Sequence, residues 1–243
     1  MRPLSASELL KAWEIGLGQP RSTRSIALLS ASSDAAPDTL ARLSIGQRDA
    51  RLLTLREWAF GSQLVCVAGC PNCGEQLEWT LDGDDLRIES KAEQCAELSL
   101  DRDGYSVSFR LPNALDLAAG ADSKDIDAAR LTLLERCVLG ASHDGQPIPP
   151  AELPPQIVQA LGEQMSQADP QADTRLDLEC PACGHCWQAI FDIECFFWSE
   201  INAWAKRLLT DVLNLASAYG WSESDILNMS PWRRQVYLNL LNR

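Results

Sequence analysis

Apolar residues recur along this chain with two periods, and the changes between them divide it into five stretches. Residues 1–61 carry the helical period. Leu10, Trp13 and Leu17 follow at helical intervals, and Ser5 with Glu8 has the spacing of a capping box. A short helix is expected around Arg24–Ser30, then a polar linker over Ala31–Pro37. The segment LARLSIGQRDARLLTLREWAFG puts Leu52, Leu55 and Ala59 on one stripe, with Gly61 where a helix would end.

Period-two alternation takes over in 62–90. Leu64–Val67 precedes the string CPNCG at Cys70–Gly74, and Leu77, Trp79 and Leu81 alternate with polar residues after it. The same layout returns in 171–198, where Leu176–Leu178 precedes CPACG at Cys180–Gly184 and Trp187, Ala189 and Phe191 follow. Between them, 91–170 reads as a small α+β part. Leu98–Asp101 and Tyr105–Leu111 flank the turn pair Asp103-Gly104. A helix is expected over Ile126–Gly140, with Ile126, Ala129, Leu133 and Cys137 on one face. After the Pro-rich loop Pro147–Pro155 comes a helix through Ile157, Leu161 and Met165. Residues 199–243 are helical again. Ile201, Ala205, Leu208, Val212 and Leu215 mark a long helix closing near Gly220, Ser222 with Asp225 caps a short one, and Ser230-Pro231 opens the last.

The fold class expected is therefore α+β: helical N- and C-terminal segments around a split zinc ribbon with an inserted α+β part. The ribbon reading rests on Cys70, Cys73, Cys180 and Cys183. Each pair is a CxxC with Pro after the first Cys and Gly after the second, a tight turn that aims two thiolates at one point. Two such pairs supply the four soft ligands of a closed tetrahedral site, which suits one structural zinc per chain and leaves no position for a reacting water. Residues 74 to 179 lie between the second and third ligands. Closing a loop of that length costs roughly 4 kcal/mol plus a constant. Structural zinc contributes about 10–16 kcal/mol, enough to clamp distant segments.

Other readings of the cysteines stay open. CPxC also occurs in thiol oxidoreductases, but there it opens a helix after a strand, whereas both copies here precede strand-like alternation. His185 and Cys186 adjoin the second string and are alternative ligands. Cys66, Cys95, Cys137 and Cys195 fall in apolar patterns and read as small buried hydrophobes.

Charge and composition narrow the function classes. Of 243 residues, 46% are hydrophobic and 23% charged, an ordinary globular profile with mean hydropathy −0.15. A net charge of −13 repels phosphate backbones and disfavours general nucleic-acid binding. The Arg42, Arg48, Arg51 and Arg56 cluster is interleaved with Asp49 and Glu57 and reads as a solvated helical face. An alternative is a zinc-ribbon adaptor that reads nucleic acid through its C-terminal helices, with Arg233 and Arg234 as the only basic pair in the would-be recognition helix. The N-terminus has no uninterrupted apolar segment of a secretory signal, and no stretch approaches the roughly 18 apolar residues of a membrane span. Nine cysteines without an export signal point to a reducing cytoplasm. With two histidines, His143 and His185, and no HExxH, GxSxG or GxxxxGK[ST], nothing indicates an enzyme, and His143-Asp144-Gly145 reads as a turn. Trp13, Trp58, Trp204, Trp221 and Trp232 are candidates for partner surfaces, with at least three expected in the core.

Taken in order, LARLSIGQRDARLLTLREWAFG, CPNCG, SFRLPNALDLAAG, LECPACG and the stretch from FFWSEINAW to AYGWSESDIL and beyond resemble one known group. It is the baseplate family of T-even-like phages and extracellular contractile injection systems, often described as baseplate hub assembly chaperones, here as a zinc-knuckle variant. The resemblance implies a non-enzymatic structural or assembly role and supplies no catalytic residues. It implies baseplate, hub or tail-tube proteins as partners, and incorporation into a phage tail-like particle.

Overall fold

The computed structural model describes residues 1–88, 97–121, 123 and 125–241, so Cys95 lies outside the described residues. The chain divides into two compact units, one formed by residues 1–35 and 193–243 and the other by 36–192. The helical stretch 1–61 is shared between them.

In the first unit, α1 (Ala6–Gly16), α2 (Arg21–Ser32) and α8 (Ile193–Tyr219) pack together, and α9 (Glu223–Leu227) and α10 (Pro231–Leu241) cover the end of α8. The capping boxes of Ser5 with Glu8 and Ser222 with Asp225 both form. They satisfy amides that the first helical turn leaves without partners. Helix α8 begins at Ile193, six residues before the expected start, because Ile193 and Phe197 extend the buried stripe through Ile201, Ala205, Leu208, Val212 and Leu215. Trp13 donates from Nε1 to Asn202 Oδ1 at 3.2 Å. Val212, Leu215, Ile226 and Leu238 form the core under α9 and α10, with Trp221 and Tyr237 against it.

In the second unit, α3 (Pro37–Ala41) and α4 (Ile45–Phe60) lead into the hairpin β1 (Gln63–Gly69) and β2 (Gln76–Asp82). The inserted part is an antiparallel sheet of β3 (Leu98–Arg102), β4 (Tyr105–Phe109), β5 (Val138–His143) and β6 (Gln146–Pro147), in that order. Between β4 and β5 lie α5 (Ala114–Ala121) and α6 (Ile126–Cys137), and α7 (Pro155–Ala168) follows β6. A second hairpin, β7 (Arg175–Glu179) and β8 (Cys186–Ile190), closes the unit. Val107, Phe109 and Val138 of the sheet pack on Ile157 and Leu161 of α7, which starts at Pro155 as its position predicts.

The structure corrects the helix expected over Ile126–Gly140. It ends at Cys137, and Val138–His143 instead pairs with β4, Val107 opposite Ala141 and Phe109 opposite Val138. The free edge of β4 captures this segment, and no local period announces that. Ile126, the first residue of this helix, is 82% exposed, while Cys137 at its other end is buried. The expected burial of the tryptophans is also corrected. Only Trp13 of the five is fully buried, Trp204 and Trp221 are half-buried, and Trp58 and Trp232 are exposed.

Two buried polar contacts organise the unit. Gly46, in the first turn of α4, donates its amide to Asp169 Oδ2 at 2.9 Å. A Cβ at Gly46 would meet Asp169 Oδ1 at 2.1 Å, so only glycine lets the carboxylate reach the helix N-terminus. Asp116, wholly buried, accepts two bonds from Arg110 at 2.6 and 2.9 Å and one from Arg136 at 2.8 Å. Ser44 and Asn113 form a β-bridge, which joins the SIGQRDA and RLPNALD segments.

Candidate metal centre

Both cysteine strings are tight reversals between the strands of a hairpin. In the first, the Cys70 amide donates to the Glu75 carbonyl at 2.8 Å and the Gly74 amide to the Cys70 carbonyl at 2.9 Å. In the second, Cys180 donates to His185 at 2.9 Å and Gly184 to Cys180 at 2.8 Å. Gly74 and Gly184 have φ of 78° and 69°, the left-handed region in which a side chain is strained. The strands pair up to the turns, Gly69 with Gln76 and Glu179 with Cys186. The inner faces are alike: Leu77, Trp79 and Leu81 are half-buried on one hairpin, and Leu176, Leu178, Trp187 and Ala189 on the other.

The two reversals face each other. Cys70 Sγ lies 3.7 Å from Cys183 Sγ, and Cys73 Sγ 3.6 Å from Cys180 Sγ, across sequence separations of 113 and 107. All four sulfurs fall within 4.8 Å of one another, and all four cysteines are free. A regular tetrahedron with metal–sulfur bonds of ~2.3 Å has sulfur–sulfur edges of ~3.8 Å. The donor set thus fits a tetrahedral ion of the zinc class. Such an ion would take every coordination position from protein, which is the closed kind of site. Cys70 and Cys180, the first cysteine of each string, are buried, while Cys73 and Cys183 face outward.

Four sulfurs this close resist ionising together. The Glu75 amide pulls the Cys73 thiol down, but the sulfurs of Cys183 and Cys180 outweigh it and push it up to about 12. Cys183 is drawn down to about 6 by the side-chain amide of Asn72, whose Nδ2 lies 3.6 Å away, and by the His185 backbone. One thiolate forms readily and another with difficulty, the behaviour of a coupled cluster that a cation would neutralise.

Neighbouring candidates stand apart from the four. Cys186 is exposed and directed at the Gly184 carbonyl, and His185 stacks over Trp187 with ring centres 6.0 Å apart. Burial pushes the Cys137 thiol up to about 11. His143, in the turn closed by Asp144 and Gly145, stacks on Tyr105 at 4.1 Å. Among the described residues no helix is long and apolar enough to cross a membrane. Of the C-terminal basic pair, Arg234 is buried and Arg233 lies over the Tyr237 ring at 5.7 Å. The sequence reading missed Gln171, 4% exposed, which lies between the hairpins' far ends. Its side chain accepts from the Ile88 amide and donates to the Leu86 carbonyl and Thr174 Oγ1. A polar residue in a Pro-Gln-Ala-Asp turn gives no local signal of such a role.

Paired hairpins with four converging sulfurs, within a mixed helix-and-sheet chain, define a protein built around a candidate four-cysteine metal site. The chain belongs to the family of T4 bacteriophage base plate proteins, which it matches over residues 20–198. That match includes both cysteine strings and the whole 36–192 unit. No curated protein and no solved structure matches the chain. Baseplate proteins are structural parts of a phage particle, so assembly with other baseplate proteins follows from membership.

Proposed function

We propose that the chain is a non-enzymatic structural or assembly protein, chaperone-like, of the baseplate or hub of a contractile tail or injection system. One structural zinc, held by Cys70, Cys73, Cys180 and Cys183, stabilises it. The observation that carries the zinc reading is the set of sulfur–sulfur distances, 3.6 and 3.7 Å, close to the edges of a tetrahedral zinc–thiolate site. In this reading 62–90 and 171–198 are halves of one split ribbon, and the ion closes the loop that carries the inserted sheet. The protein is made in the cytoplasm and meets baseplate, hub or tail-tube proteins there, either to guide their assembly or to enter the particle.

Metal analysis of purified protein is expected to give one equivalent of zinc per chain, and less than half an equivalent argues against the site. Cys180→Ser is expected to abolish tight zinc binding. Affinity capture from a producing cell is expected to recover tail or baseplate components; recovery of none would count against the assembly role.

A further inference from the structure

A groove of about 550 Å³ opens between α8 and α10, with Trp204, Lys206, Arg207, Asp211, Arg234 and Gln235 among its lining residues. Arg234 is only 6% exposed, and among the described residues its buried Nη1 has no hydrogen-bond partner. A buried charged donor without an acceptor is costly, and an anionic group completing it would remove that cost. Asp211 does not fill this role. It attracts Arg234, yet burial holds the Arg234 guanidinium below its usual basicity and raises the Asp211 carboxyl. Lys206 and Arg207 are exposed on the same groove, so among the described lining residues three cations accompany one carboxylate.

The charge of the chain is unevenly shared. The unit of residues 1–35 and 193–243 holds nine basic and eight acidic residues, leaving 12 and 26 in the other, so the net charges are +1 and −14. The groove therefore lies on the unit that does not repel an acidic ligand, and its size is within the roughly 300–1,000 Å³ of binding clefts.

We propose that this groove docks an acidic segment of a partner protein. Arg234 takes one carboxylate as a fork of donors, Lys206 and Arg207 hold flanking carboxylates at the rim, and Trp204 supplies an apolar wall. The proposal rests on baseplate membership, which makes the partners proteins, and is independent of the metal.

The test titrates fluorescein-labelled hexaglutamate with the full chain and reads anisotropy at low and near-physiological salt. Saturable binding is expected, weaker at the higher salt because rim charges are screened. Arg207→Glu, at an exposed position that leaves folding intact, is expected to weaken binding about tenfold. Arg234→Gln is expected to weaken it at least as much. Absence of saturable binding at low salt, binding unchanged by Arg207→Glu, or tighter binding of a single-stranded oligonucleotide of equal charge would each overturn the proposal. Zinc content measured on the same samples separates failure of the groove from failure of the metal site.

Discussion

Gln171 Nε2 donates to the Leu86 carbonyl at 3.0 Å, joining the segment that leaves the first hairpin to the segment that enters the second. The same side chain accepts from the Ile88 amide at 2.8 Å and donates to Thr174 at 3.0 Å. The two hairpins thus meet at both ends, at four converging sulfurs at the turns and at one buried amide at the open ends. A site tied at one end only would leave the opposite strand ends free to splay.

Replacing Gln171 by Ala removes this tie and leaves the Ile88 amide and Leu86 carbonyl without their partner. The expected cost is about 2 kcal/mol, the penalty for stranded buried polar groups. Urea denaturation measures it, and a loss under about 0.5 kcal/mol would show that the tie carries no weight.

Gly46→Ala places a methyl group at 2.1 Å from Asp169 Oδ1. Overpacking against a carboxylate that cannot retreat is expected to destabilise by about 1–3 kcal/mol. The double variant with Asp169→Gly should cost less than the sum of the two single changes, since the clash has gone. Strict additivity in a double-mutant cycle refutes the contact.

Asp116 gives the chain an acid-sensitive element. Burial alone would raise its carboxyl, but the Arg110 pair, the Asn113 amide and Arg136 reverse this and hold it below the ordinary range. Its stabilisation is therefore complete above the unfolded value of about 3.9 and is lost as pH falls through the lower folded value. Asp116→Asn is expected to cost about 2–3 kcal/mol at neutral pH, less than a fully buried pair because both arginines keep some solvent. The gap between wild type and variant should shrink below about pH 3. Denaturation midpoints that differ equally at pH 7 and pH 3 would contradict this.

Thiol labelling distinguishes ligands from bystanders. In zinc-loaded protein Cys186, exposed and outside the four-sulfur group, is expected to react with a maleimide, whereas Cys73 and Cys183 stay protected despite their exposure. Chelation should expose them. Mass spectrometry of the labelled peptides reads the pattern, and equal labelling of all three before chelation would remove the metal from the site.

Loss of the ion itself is expected to be severe. Cys180→Ser should forfeit much of the roughly 10–16 kcal/mol that structural zinc contributes, comparable to the about 5–15 kcal/mol that holds a typical native protein together, so the cooperative thermal transition is expected to be largely lost. A thermal scan that finds wild-type Tm in the variant would mean that the hairpins stand without metal.

Much of the site was legible before any coordinates. Pro and Gly in CPNCG and CPACG announce the reversals, and the alternation at Leu77, Trp79 and Leu81 and at Trp187 and Ala189 announces the strands. The caps at Ser5 and Ser222 and the stripe from Ile201 to Leu215 are equally local. Such features repeat every two or every three to four residues because neighbours in sequence share a face. Only the tertiary structure decided that sulfurs 107 and 113 positions apart meet, that Val138–His143 leaves its helix for the edge of β4, and that Asp169 and Gln171 sit under distant elements. The path of the intervening chain sets those distances, and the spacing of residues along it carries no record of that path.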